Sequence, residues 1–241
     1  MSVLAVHPPL DPAAVEQAMA ARTAAVDRSV LDAFAAHFGG GDFPGVSLVA
    51  VGGYGRRELF PHSVVDLLIL VETSKHIPPK EVLSAFFQAL WDVSLRPSHS
   101  VHTLADCATE HAGNTEFTIS LLDQRFLAGD EVLYEQMRQK FLQFRGRRGP
   151  AVAKQLALLG EERRARFQNT IYHLEPNIKD SPGGLRDLQI ARWLYALDPH
   201  GNLADLQPAF LFLAGIRWRL HELAGRIGLK HFRSSKPPSA S

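Results

Sequence analysis

The residues best suited to chemistry are concentrated between Val51 and Leu70, in the run Val-Gly-Gly-Tyr-Gly-Arg-Arg-Glu-Leu-Phe-Pro-His-Ser-Val-Val-Asp-Leu-Leu-Ile-Leu. Gly52 and Gly53 end an apolar run, let the backbone approach a ligand closely, and offer N–H groups to a triphosphate. Arg56 and Arg57 can add charge-assisted contacts to phosphate oxygens. Asp66, early in a second apolar run, carries the oxygen donors that a hard metal cation takes. The same residues also compose a plain turn between strands, with solvated arginines and an aspartate that serves only the turn. A second polar concentration spans Leu174 to Asp187, with Glu175, Asn177, Lys179 and Arg186 close together. It reads either as a loop closing over nucleotide or acceptor, or as a helix start at Ser181-Pro182 with glycines that serve packing. The histidines His99, His102, His111, His173 and His221 lack the i,i+4 spacing of a metal site and read as structural.

These segments need elements to hold them. Asp11 to about Phe38 has apolar residues at helical spacing (Val15, Met19, Val26, Val30, Phe34), with Asp11 placed to cap it and Gly39-Gly40-Gly41 to end it. Val46–Val51 and Val64–Val71 are continuous apolar runs of a length that suits buried strands. Glu81–Val93 reads as a helix, Ser100–Leu104 as a third strand, and Asn114–Leu127 as helix again. Beyond Glu131 the pattern gives helices at Tyr134–Phe144, Ala151–Tyr172, Leu185–Leu197 and Leu206–Ile227. The expected organisation is a helical segment at 1–40, an α/β unit at 41–130, a helical unit at 131–228, and a disordered tail at 229–241, where serine and proline replace apolar periodicity.

Composition narrows the function classes. Lys and Arg (26) nearly balance Asp and Glu (25), so net charge gives no drive toward nucleic acid or a membrane surface. No run approaches the roughly 20 apolar residues that cross a bilayer, and the N-terminus lacks the pattern of a signal peptide. Cys107 is the only cysteine, which excludes an intrachain disulfide and a cysteine-based zinc cluster. The expectation is a reduced, cytoplasmic, soluble protein that recognises partners through a site.

The Val51–Leu70 run resembles the signature of the DNA polymerase β-like nucleotidyltransferases, and within them that of the bacterial PII uridylyltransferase/uridylyl-removing enzymes. That motif reads Gly-Gly-Tyr-Gly-Arg-x-Glu-Leu, then Pro-x-Ser-Asp-x-Asp-Leu-Leu. The chain keeps Gly52, Gly53, Tyr54, Gly55, Arg56, Glu58, Leu59, Pro61, Ser63, Asp66, Leu67 and Leu68. Leu90-Trp-Asp-Val with His99-Ser-Val and Thr103-Leu, and Leu174-Glu-Pro-Asn-Ile-Lys179 with Pro182-Gly-Gly-Leu-Arg-Asp187, are similar to two further family elements. Arg217, Leu220-His221 and Ala224-Gly-Arg226 fit as well, so the likeness runs from about residue 30 to 228.

The resemblance implies an α+β fold: a polymerase β-like nucleotidyltransferase unit with a small mixed sheet, followed by an all-helical domain. It implies transfer of UMP from UTP to a tyrosine of the PII nitrogen-signalling protein, with paired carboxylates holding Mg2+. On that pattern Gly52, Gly53, Arg56 and Ser63 bind nucleotide and Asp66 is the catalytic metal ligand. Val64 stands where the family has its first metal-binding aspartate, and valine cannot bind magnesium, so activity is expected to be impaired. Ser98 stands in place of Gly and His102 in place of Arg; Asp92 and Glu116 are the candidates for a third carboxylate. The family chain continues into hydrolase and regulatory domains that this sequence lacks, so uridylyl removal and glutamine sensing are not expected of it.

Overall fold

The computed structural model describes residues 11–39, 44–108, 115–168, 177–198 and 205–227. Helix α1 (Pro12–Phe38) is continuous, with the Asp11 side chain accepting from the Ala13 N–H and Gly39 in the left-handed conformation at its end. Strand β1 (Val46–Ala50) leads into a single helical turn, α2 (Gly52–Gly55), and then β2 (Val65–Val71). Helix α3 (Lys80–Asp92) carries the chain over to β3 (Pro97–Thr103). Helix α4 (Thr115–Ser120) and strand β4 (Arg125–Gly129) precede α5 (Glu131–Arg166), α6 (Leu185–Leu197) and α7 (Gln207–Ile227).

The sheet is mixed and four-stranded, in the order β3-β2-β1-β4. Strand β1 is antiparallel to both β2 and β4, whereas β2 and β3 run parallel, as the α3 crossover between them requires. The fold is therefore α+β, as the sequence implies. Both central strands are buried on both faces, which is why they read as unbroken apolar runs rather than alternating ones. Period two still sorts their side chains. Leu48, Ala50, Leu67, Ile69 and Val71 pack with α1 and α3, while Val49, Leu68 and Leu70 pack with α5 and α6. A third apolar group joins the start of α1 to Phe60, Leu185 and α7.

Three expectations are corrected. The segment read as helix from Asn114 to Leu127 is helical only to Asp123 and then forms β4, which pairs with β1 through a bulge at Leu48/Val49. Its sequence lacks a strand signature because it is an edge strand, half-buried throughout, whose state is set by its partner. The helices expected at 134–144 and 151–172 are one helix, α5, with Pro150 inside it. Proline removes one N–H from the ladder, but Gly146, whose carbonyl loses its donor, is exposed, so water can replace it. Finally, Ser181-Pro182 does not start a helix; α6 begins at Leu185 after Gly184. The expected tail at 229–241 lies outside the described residues.

Candidate functional site

The site lies where β1 and β2 end. After Ala50 the chain coils at once: Gly55 N–H donates to Val51 O (3.0 Å), Arg56 N–H to Gly52 O (3.1 Å) and Glu58 N–H to Gly53 O (2.8 Å). The N–H groups of Gly52 and Gly53 head this turn and have no acceptor within it. Gly52 has φ +58, and a Cβ there would stand 3.2 Å from Asp66 Oδ2. Both the left-handed backbone and the closeness to Asp66 call for glycine. Gly55 answers a tighter demand, since its Cβ would fall 1.7 Å from the carbonyl oxygen of Asp123.

Asp66 lies on the face of β2 that meets α5 and α6, the face of Leu68 and Leu70. Val64, two residues earlier, shares that face and is 45% exposed. Parallel pairing sets Ser98 of β3 beside Asp66, and the Val65 N–H donates to the Arg96 carbonyl at 2.9 Å. Burial raises the Asp66 pKa, opposed by Lys179, Arg56, Arg186 and a hydrogen bond from Ser98. The charges that chiefly act on Asp66 are thus cations.

Arg56 is held on three sides. It pairs with Glu58 (2.7 Å) and with Asp123, and its guanidinium lies over the Trp193 ring at 5.6 Å. Burial lowers its pKa, but Asp123 and Glu58 outweigh that and leave it above the ordinary value. Trp193 donates to Asp123 at 3.1 Å, and Arg192 reaches Glu58 at 3.0 Å. Arg57, by contrast, is exposed, with φ 63. Ser63 folds back: its hydroxyl accepts from the Phe60 N–H at 2.9 Å, fixing the turn that enters β2.

The loop before α6 comes to the same place. Asn177 spends its side chain on the loop, accepting from the N–H groups of Lys179 and Asp180 at 3.0 Å. The Leu185 and Arg186 N–H groups donate back to Ile178 and Lys179. This clasp carries Lys179 and Arg186 toward Asp66, with Arg186 over Trp193 at 5.7 Å and 3.6 Å from Asp180. Arg217 of α7 lies over Phe60 at 4.3 Å. Burial lowers the pKa of Lys179, with Arg186 and Arg217 adding to the shift. Burial likewise brings Arg217 down to about 10. Gly52, Gly53, Arg56, Asp66, Lys179 and Arg186 are thus brought together, Ser63 and Asn177 shape the turns around them, and Glu175 lies outside the described residues. Asp92 is exposed and accepts from Gln88, and Glu116 is exposed on α4; neither is among the groups acting on Asp66.

Two histidines latch the motif loop to α7. The His62 N–H donates to His221 Nδ1 (3.2 Å), and the rings lie 5.3 Å apart. Burial, then Arg217, His62, Arg22 and Lys179, lower the His221 pKa to about 4. The folded state therefore holds fewer protons than the unfolded chain in the pH range between that value and an ordinary histidine. Stability contributed by neutral His221 is complete above about pH 6.5 and falls progressively toward pH 4, by on the order of 2–3 kcal/mol. Melting temperatures of the protein and a His221→Gln variant from pH 7 to 4.5 check this; the variant is expected to show the shallower decline.

A family model described as GlnD PII-uridylyltransferase matches residues 152–198, which run from the second half of α5 through α6. The bifunctional uridylyltransferase/uridylyl-removing enzyme of Methylococcus capsulatus is 40% identical over 222 residues, covering 85% of this chain and 25% of the relative. Those of Bordetella avium (45% over 150 residues; 62% and 17%) and Azotobacter vinelandii (39% over 198 residues; 75% and 22%) agree. Over most of its length the chain resembles the PII uridylyltransferases. It spans about a quarter of the length of the family member from Methylococcus.

Against the uridylyltransferase motif, the residues that the sequence did not single out are Asp123 and Trp193, and Arg217 was matched to a family element without a place at the site. Asp123 sits at the end of the segment read as helix, so its approach to Arg56 depended on the unforeseen strand that follows. Trp193 and Arg217 sit on helices whose apolar faces were legible, but which helix meets the loop is a tertiary fact. Among the described residues no group of three or more His, Cys, Asp or Glu is placed to hold a metal. A pair of magnesium ions does not fit one carboxylate ringed by cations. No described helix is long and apolar enough to cross a membrane. Cys107 is buried, which pushes its thiol up to about 12.

Proposed function

We propose that this chain is a uridylyltransferase-family nucleotidyl-transfer module that takes UTP, with a tyrosine of the PII signal protein as acceptor, and that its turnover is impaired. The observation that carries the reading is the convergence of Gly52 and Asp66 with Lys179 and Arg186, from segments more than a hundred residues apart. The glycine turn allows close backbone approach, and the two cations give charge-assisted contacts to phosphate oxygens. In nucleotidyl transfer the chemistry is mostly positioning and charge stabilisation, with magnesium supplying much of the charge. Here Asp66 is the one carboxylate on that strand face among the described residues, and Val64 offers none. Magnesium binding is proposed to be weak, and the compartment to be the cytoplasm, in keeping with a lone buried thiol.

A second reading is that the module holds nucleotide or PII without turning anything over. The charges that chiefly act on Asp66 are cations, which favours it, because binding needs charge complementarity but not a metal pair. Radiolabelled UMP transfer to a PII protein, run beside UTP titration calorimetry, separates the readings. The expected result is UTP binding with transfer absent or residual. Vigorous transfer by the unmodified chain would mean that Asp66 suffices and the impairment is wrong. Absence of UTP binding would remove both readings.

A further inference from the structure

The cations around Asp66 differ in how they are engaged. Arg56 is neutralised by Glu58 and Asp123, and Arg186 has Asp180 at 3.6 Å and Gln189 at 3.0 Å. Among the described residues, Lys179 and Arg217 make no side-chain hydrogen bond or ion pair; the ring of Phe60 lies beneath Arg217, and Asp180 is the acid that acts on both. Both are partly buried; Arg186 lowers the pKa of each, and Arg217 that of Lys179 as well, with Asp180 opposing. Like charges held together away from water are costly, and a protein keeps them where an anion will join them. The loop clasp and the Phe60 ring fix these two cations in place, beside the turn whose glycines admit a ligand.

This arrangement also answers the missing carboxylate. A nucleoside triphosphate carries several negative charges that magnesium ordinarily offsets. At this site a divalent cation would meet one carboxylate, Asp66, and the repulsion of Lys179 and Arg186. We propose that the site binds the polyphosphate of a nucleotide free of divalent metal, with Lys179, Arg186 and Arg217 supplying the positive charge in the metal's place. The proposal rests on the reading of the Gly52–Asp66 loop as a triphosphate site.

Titration calorimetry with UTP and with inorganic tripolyphosphate, in excess EDTA and in magnesium, tests it. UTP affinity in EDTA is expected to equal or exceed that in magnesium, and tripolyphosphate is expected to bind in EDTA. Lys179→Met is expected to weaken UTP binding in EDTA by about tenfold, the loss of one charge-assisted contact, with an unchanged circular dichroism spectrum. Arg217→Met is a second variant, and the comparison of EDTA with magnesium needs no variant at all. Binding seen only with magnesium would overturn the proposal and leave the triphosphate reading standing. Equal binding in EDTA by the protein and its Lys179→Met and Arg217→Met variants would overturn the assignment to these cations. Lack of UTP binding in both buffers would overturn the triphosphate reading and the proposal together.

Discussion

Replacing Val64 by aspartate is expected to raise magnesium affinity in the presence of UTP by about tenfold or more, since even indirect partners of a bound metal are worth 10- to 100-fold. Position 64 is one residue outside β2, and the period of two puts its side chain on the face that carries Asp66. At 45% exposure the valine has open space around it, so a smaller, charged side chain meets no packing barrier. The new carboxylate would stand two residues from Asp66, giving a hard cation two anionic donors. Calorimetric titration of magnesium into the UTP-loaded protein reads the affinity, and UMP transfer to PII reads the consequence. Transfer by the Val64→Asp variant alone would identify an intact scaffold lacking one ligand. No change in magnesium affinity would remove position 64 from the metal site. In EDTA the same variant should bind UTP more weakly than the unmodified protein, because it adds negative charge next to the phosphates.

A second substitution should act on the fold itself. Gly55→Ala is expected to destabilise the protein by at least about 4 kcal/mol, the range reserved for substitutions that cannot be relieved locally. A Cβ at position 55 would fall 1.7 Å from the Asp123 carbonyl oxygen and 2.9 Å from that of Ala50. Both neighbours are backbone, so neither can swing away as a side chain would. Relief requires the segment 121–123 to move off the turn, which also withdraws Asp123 from Arg56 and Trp193. Urea unfolding monitored by tryptophan fluorescence gives the midpoint. A Gly55→Ala midpoint close to that of the unmodified protein would mean that the turn and the segment 121–123 are not packed as described.

How far the sequence could be read depended on where each element's determinants lie. Helix α1, with Asp11 before it and Gly39 after it, and the two central strands with their apolar runs carry their own signals. Strand β4 does not: its residues are half-buried on an edge, and only the ladder to β1 makes them a strand. At the site, Gly52 and Asp66 were legible because they lie in one short motif. Lys179 and Arg186 were legible as a polar loop, yet their closeness to Asp66 arises from the clasp between 178–179 and 185–186 and from Trp193 beneath. Asp123 had no local signal, since a buried acid paired with an arginine looks in sequence like any surface acid. Asp92 and Glu116 illustrate the converse: acids near the right elements that lie exposed.

Helix α5 has a mechanical consequence. Its 36 residues make a rod about 54 Å long. Leu133, Met137, Phe141 and Phe144 on its first half share a core with β1 and β2, while Val152 and Leu156 on its second half share that core with α6. At the middle, Gly149 lets the Leu197 carbonyl oxygen approach to where a Cβ would be 2.2 Å away. The rod therefore couples the half that bears Asp66 to the half that bears Lys179, and neither can swing on a hinge without bending it. A movement of one half against the other would have to bend the rod, and the bend would fall at Pro150, where the ladder already lacks one N–H.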